Sequence, residues 1–253
     1  MKKMLREFWD QLDGTMRGRE WFLALGTLCI VVVWLYFGSP MFFLKTFGSL
    51  PSLASDPLLD WWQYLYYHVN TLVLLGLIPL AIMRWGFGMR PAELGVRLGD
   101  WKWGLKFVVV AAIVTAPALY VSSFDPEFQR EYPLTKIAGH SLTTWVLWEL
   151  TYLIYYIGWE IYFRGVLLFG LREKFGVGGA IAFETAISTL VHLGAGHAKP
   201  FGETFSAAPA GFLFGMLALR TGSMLWPMLL HFYIGILNDV LSYMNGIGQG
   251  LGG

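Results

Sequence analysis

Long apolar runs separated by short polar loops set the pattern of this chain. The runs fall at roughly 21–43, 61–83, 103–122, 142–170, 178–194, 206–220 and 224–243. Each is close to the ~20 residues a helix needs to cross the hydrocarbon of a bilayer, the fifth and sixth being the shortest. Residues 1–20 differ. There Leu5, Phe8, Trp9 and Leu12 recur among charged positions, a spacing that predicts an amphipathic helix lying on the membrane. Pro40, Pro51 and Pro57 punctuate the first loop, and Asp125-Pro126 and Tyr132-Pro133 the third. The expected fold is all-α: a single-domain membrane bundle of about seven to eight helices, with 1–20 interfacial and 21–89 an N-terminal group of spans.

Composition supports that pattern. The chain has 253 residues, 56% of them hydrophobic and 14% charged, where soluble domains carry about a quarter charged residues. Its mean hydropathy is +0.53. An integral membrane protein is expected, with the lipid bilayer as a partner. A net charge of +1 gives no electrostatic footprint for nucleic acid. Cys29 is the single cysteine, which excludes an internal disulfide and a cysteine-based metal site. The first apolar run follows about twenty polar residues without a small-residue cleavage site, and reads as a retained helix. Basic residues alternate from loop to loop. Lys2, Lys3, Arg6, Arg17 and Arg19 precede the first span, and only Lys45 follows it. Arg84, Arg90, Arg97, Lys102 and Lys106 surround the second polar segment. The alternation predicts a plasma-membrane protein with its N-terminus in the cytoplasm and its C-terminus outside.

Against this background the ionisable residues inside the spans stand out. At about 100° per residue, Glu149, Tyr152, Tyr156, Glu160 and Arg164 share one helix stripe. Such groups are costly in a membrane and normally face a bundle interior or an aqueous cavity. Glu160 and Arg164, at i,i+4, form either a pinning ion pair or a poised carboxylate. His192 ends the fifth run and His197 lies in the Gly-rich turn after it. Each taken alone reads as a hydrogen-bonded structural histidine. Glu203, in Lys199-Pro-Phe-Gly-Glu203, reads by itself as a loop acid or an N-cap neighbour. His231 lies deep in the last run and shares a face with Asn238. There is no HExxH pair, and the i,i+5 spacing of His192 and His197 suits no shared ion, so neither metal nor cofactor is indicated.

Taken together, Glu160-x-x-x-Arg164-Gly165, a histidine ending the next run and a histidine in the last run resemble the CPBP family of intramembrane proteases. That family comprises CAAX-prenyl endopeptidases and bacteriocin-processing or immunity proteins. Gly211-x-x-x-Gly215, Arg220-Thr-Gly-Ser223 and Trp226-Pro227 are similar to it as well, so the resemblance covers about 90–243. It implies an all-helical peptidase in which glutamate and histidine activate water, and a second histidine with an asparagine stabilises the oxyanion. By position, Glu160 and Arg164 match the second glutamate and the arginine of the family's Glu-Glu-x-x-x-Arg motif, and His192 and His231 match its two histidines. Three positions depart from the pattern. Trp159 stands for the first glutamate, Ser188 for a phenylalanine and Gly235 for the asparagine. The base is then Glu160 or another acid, namely Glu203, Glu149 or Glu184, with His197, Asn238 and Tyr156 as accessories. The implied substrate is a membrane-associated protein or peptide. The rival reading is a non-catalytic scaffold or immunity protein. A transporter would carry inverted repeats, and none is visible.

Overall fold

The computed structural model describes residues 2–13, 18–194 and 199–247. All regular structure in them is helical. Helix α1 is Lys2–Asp13, α2 Gly18–Phe37, α3 Pro40–Phe47 and α4 Pro51–Ala54. Helix α5, Leu59–Asn70, continues through a π turn at Thr71–Leu77, α6 at Ile78–Ala81 and a second π turn at Ile82–Gly86. Next come α7 Trp101–Ser122, α8 Pro126–Glu131 and α9 Leu142–Glu160. The last leads through a π turn at Ile161–Leu167 into α10, Leu168–Leu190, and then come α11 Phe201–Thr221 and α12 Leu225–Ile247.

Among the described residues, five helical runs are long and apolar enough to cross a membrane: Gly18–Phe37, Leu59–Gly86, Trp101–Ser122, Leu142–Leu193 and Leu225–Gly246. The fourth has 52 residues. At ~1.5 Å per residue it would extend roughly 78 Å if straight, far beyond the ~30 Å hydrocarbon. It turns back at Gly176, whose φ of 70° suits a residue without a Cβ. The two runs expected at 142–170 and 178–194 are its two arms. The run expected at 206–220 lies in α11, whose polar first turns keep it below the hydropathy of the five.

Loop contacts sort the bundle into two ends. Arg19 pairs with Glu173 at 3.0 Å. The Asp100 N–H donates to the Thr221 carbonyl at 2.8 Å, and Arg220 to the Asp100 carboxylate at 3.0 Å. The start of α2, the 87–100 loop, the turn near 176 and the α11–α12 turn therefore share one end, here the N-terminal end. At the opposite end Thr135 donates to Asp60 at 2.5 Å, Asn245 to Ser123 at 2.7 Å and Lys199 pairs with Glu131 at 2.8 Å. Among the described residues the chain accordingly crosses between the ends seven times, and α11 is one crossing.

The α9–α10 hairpin is the spine. Helix α9 packs on α5, the 71–77 turn and α12, while α10 packs on α2 and α11. Trp148, Tyr162, Phe163, Leu167, Leu168 and Leu171 are fully buried along it. Helix α7 is peripheral and turns Val110, Ile113 and Val114 outward, as a lipid-facing helix does. Gly158 lets α9 cross the 71–77 turn closely, since a Cβ there would sit 2.5 Å from the Leu72 Cα.

Candidate active site

The stripe on α9 is buried as expected. Glu149, Tyr152, Tyr156, Glu160 and Arg164 are each at most 8% exposed. The π turn begins directly after Glu160, and such turns often mark functional positions in helices.

Glu160 joins three elements. Its Oε1 receives the His231 Nδ1–H of α12 at 2.8 Å and Arg164 Nη1 at 3.3 Å. The Arg164 guanidinium reaches on to Glu184 of α10, with Nε to Oε2 at 3.6 Å, and covers the Phe214 ring of α11 at 5.3 Å. Both carboxylates are fully buried. In low dielectric each needs its counter-charge, so this His231–Glu160–Arg164–Glu184 network pins four helical segments together.

Beside the network lies a cavity of about 340 Å³ between α7, α9, α11 and α12. His192, His231, Glu203, Tyr156, Trp159, Arg164, Ser188 and Asn238 are on its wall. Glu160, Glu184 and Glu149 are not, and Glu203 is the acid on the wall. A smaller chamber of about 60 Å³ again brings together His192, His231 and Glu203 with Trp159, Tyr156 and Lys199.

Both histidines are oriented through Nδ1. The His192 Nδ1 lies 2.7 Å from the Ser188 carbonyl, which can only accept, so Nδ1 carries a proton. Glu160 anchors Nδ1 of His231 in the same way. Each ring is left with Nε2 for the cavity, the arrangement that fixes catalytic or ligating imidazoles. Among the described residues no three His, Cys, Asp or Glu side chains are grouped to hold a metal ion.

Two departures from the family pattern have local compensation. The Trp159 ring stacks on Tyr155 at 5.6 Å and lies 6.0 Å from the His192 ring, forming wall where the resemblance has a carboxylate. The acid on the cavity wall is Glu203, in the first turn of α11. At Gly235, a Cβ would collide with the Tyr156 hydroxyl. The space of a side chain at 235 is thus filled by a phenol whose ring is 4.7 Å from that of His231.

Glu203 is held from outside the membrane helices. The Tyr132 hydroxyl donates to its Oε2 at 2.7 Å, and Lys199 donates to that hydroxyl at 3.1 Å. Burial, reinforced by the Glu203 carboxylate, pushes the Tyr132 phenol well above its ordinary range and keeps it a donor. Burial works against the Lys199 charge, but Glu203 and Glu131 outweigh it and hold the ammonium above the usual lysine range. The Lys199 N–H also donates to the His192 carbonyl at 2.9 Å, so one residue ties both parts of the site together. Sequence reasoning missed Tyr132 and Lys199. Their only signals were the Tyr132-Pro133 turn and the Lys199-Pro-x-x-Glu203 run, neither of which reveals the pairing.

The remaining expected residues are dispersed. Asn238 is on the cavity wall. Glu149 is buried beside Trp148, whose indole donates to Asp239 at 2.7 Å, and both of its carboxyl oxygens lack a hydrogen-bond partner. His197 lies outside the described residues.

Residues 141–237 match the family model described as Type II CAAX prenyl endopeptidase Rce1-like. No curated protein and no solved structure matches the chain at a significant level. The matched segment holds Glu160, Arg164, His192, Glu203 and His231, leaving Tyr132 outside, and through it the chain is similar to the Rce1-like members of the CPBP family.

Proposed function

We propose that this protein is an intramembrane endopeptidase that cleaves a membrane-associated protein or peptide. The observation carrying this reading is the convergence of two Nδ1-anchored histidines and the Glu203 carboxylate on one cavity. A water held between Glu203 and His192 gives a proton to Glu203, and its oxygen adds to the scissile carbonyl carbon. The developing oxyanion meets the Tyr156 hydroxyl and the Nε2–H of His231 in its imidazolium form, whose Nδ1–H is held by Glu160. Preorganised donors of this kind contribute on the order of 3 kcal/mol each. Glu203 then passes its proton to the amide nitrogen as the C–N bond breaks. Glu160 and Arg164 position His231 from behind. The basic loops favour the cytoplasm at the N-terminal end, in a plasma membrane.

The test maps protein termini in host cells carrying wild type, Glu203→Gln and a deletion. Accumulation of the same uncut precursor in both mutants is expected. Trp159, where the family pattern has glutamate, favours the rival scaffold reading, which predicts that folded Glu203→Gln keeps every terminus and the phenotype unchanged.

A further inference from the structure

Sequence reading fixes neither which face of the membrane the cavity serves nor where its substrate comes from. The wall answers through its contributors. Phe128, Tyr132, Gly202, Glu203 and Ser206 come from the opposite end of the bundle, and no wall residue belongs to the 87–100 loop or the α11–α12 turn. The clamp that fixes Glu203, made of Tyr132, Lys199 and Glu131, is at that same end. The wall is apolar at Leu119, Ala207, Ala210, Phe214 and Ile234, and Arg164 and His231 lie farther toward the N-terminal end. The cavity thus runs inward from the opposite end, with an apolar side along α7 and with Arg164 and His231 farthest from that end.

Basic residues divide unevenly between the ends. Arg19, Arg84, Arg90, Arg97, Lys102, Lys106, Arg172, Lys174 and Arg220 are at the N-terminal end. Lys45, Arg130, Lys136 and Lys199 are at the opposite end. Two of these four are engaged locally, Lys199 with Glu131 and Lys136 with backbone carbonyls of 130–133. Short loops rich in Lys and Arg stay in the cytoplasm. The loop contacts fix which loops lie together, so this bias orients the mouth as well as the termini.

We infer that the active site opens on the extracytoplasmic face, and that its substrate is an exported, membrane-anchored polypeptide cut near the outer end of its anchor. This rests on the peptidase reading for the word substrate, but the facing of the cavity does not. An anchor helix lying beside α7 would place apolar side chains on the Leu119 and Phe214 walls. The chain leaving it would pass Glu203 at the mouth. A cytoplasmic lipidated tail would approach from the wrong end.

Full-length protein in a Cys29→Ser background, carrying Ser206→Cys on the cavity wall or Lys174→Cys at the N-terminal end, is treated in intact cells with a membrane-impermeant maleimide. Ser206→Cys should label in intact cells, and Lys174→Cys only after permeabilisation. The reverse pattern overturns the inference and leaves the peptidase reading untouched. Should Ser206→Cys label in neither state, Ser55→Cys, exposed at the same end, gives the sidedness. External labelling with no Glu203-dependent cleavage anywhere would keep the outward cavity and sink the peptidase. Where a cut precursor is found, its new terminus should lie outside the membrane; a cytoplasmic cut overturns the inference.

Discussion

Glu160 and Glu203 are both glutamates of one site, yet their surroundings predict opposite mutant behaviour. Glu160 is fully buried and holds His231 and Arg164. Glu160→Gln removes a buried counter-charge, and melting in lipid nanodiscs should show a loss of about 3 kcal/mol. Glu203 is half-buried at a cavity, and its neutral variant should melt within about 1 kcal/mol of wild type while losing cleavage at least about a hundredfold. Lys199 adds a pH test. Its folded-state pKa is raised, so its contribution is complete below the ordinary lysine value of about 10.4 and fades as pH climbs through the folded value. The melting temperature of wild type should fall between about pH 10 and 11.5 more steeply than that of Lys199→Met. Equal slopes would mean that the Glu131–Lys199–Tyr132 contacts add no net stability. At this scale the sequence was legible where ionisable groups share a helix stripe, as Glu160 and Arg164 do. It was opaque for Tyr132 and Glu203, which are 71 residues apart and meet only through the fold.

Helices meet at positions where side chains are missing, and this decides how the elements tolerate change. Gly158 abuts Leu72 and the Thr71 carbonyl, so Gly158→Ala should force α9 off the 71–77 turn and cost about 1–3 kcal/mol. Gly178, on the second arm of the hairpin, has open space around its position. Gly178→Ala should be neutral or stabilising by up to about 1 kcal/mol. Parallel melts of the two variants check this, and equal shifts would show that the close crossing at Gly158 carries no cost of its own. Element boundaries were largely legible because apolar runs of bilayer length leave few alternatives. The run expected at 61–83 is Leu59–Gly86, and that at 103–122 is Trp101–Ser122. The hairpin at Gly176 was visible as a gap between two runs. The π turn after Glu160 was not, because its i→i+5 bonding has no residue signature in Ile161–Leu167.

Across the whole molecule, two independent patterns bear on topology. Basic residues alternate from loop to loop, while ion pairs and hydrogen bonds gather those same loops into two ends. Arg19 with Glu173 and Arg220 with Asp100 close one end; Asp60 with Thr135 and Ser123 with Asn245 close the other. Side-chain contacts know nothing of the charge rule, so their sorting of the basic loops onto one end is a separate constraint. Counting crossings between the ends among the described residues gives an odd number, which puts the start of α2 and the end of α12 at opposite ends of the bundle. In intact cells, a tag after residue 253 should be removed by external protease and a tag before residue 1 should survive until the membrane is opened. Were both tags to behave alike, one helix would have to stop crossing. The weakest candidate is α11, since its first turns carry Glu203, Thr204 and Ser206. Its withdrawal would also separate Glu203 from Tyr132, and so undo the site along with the topology.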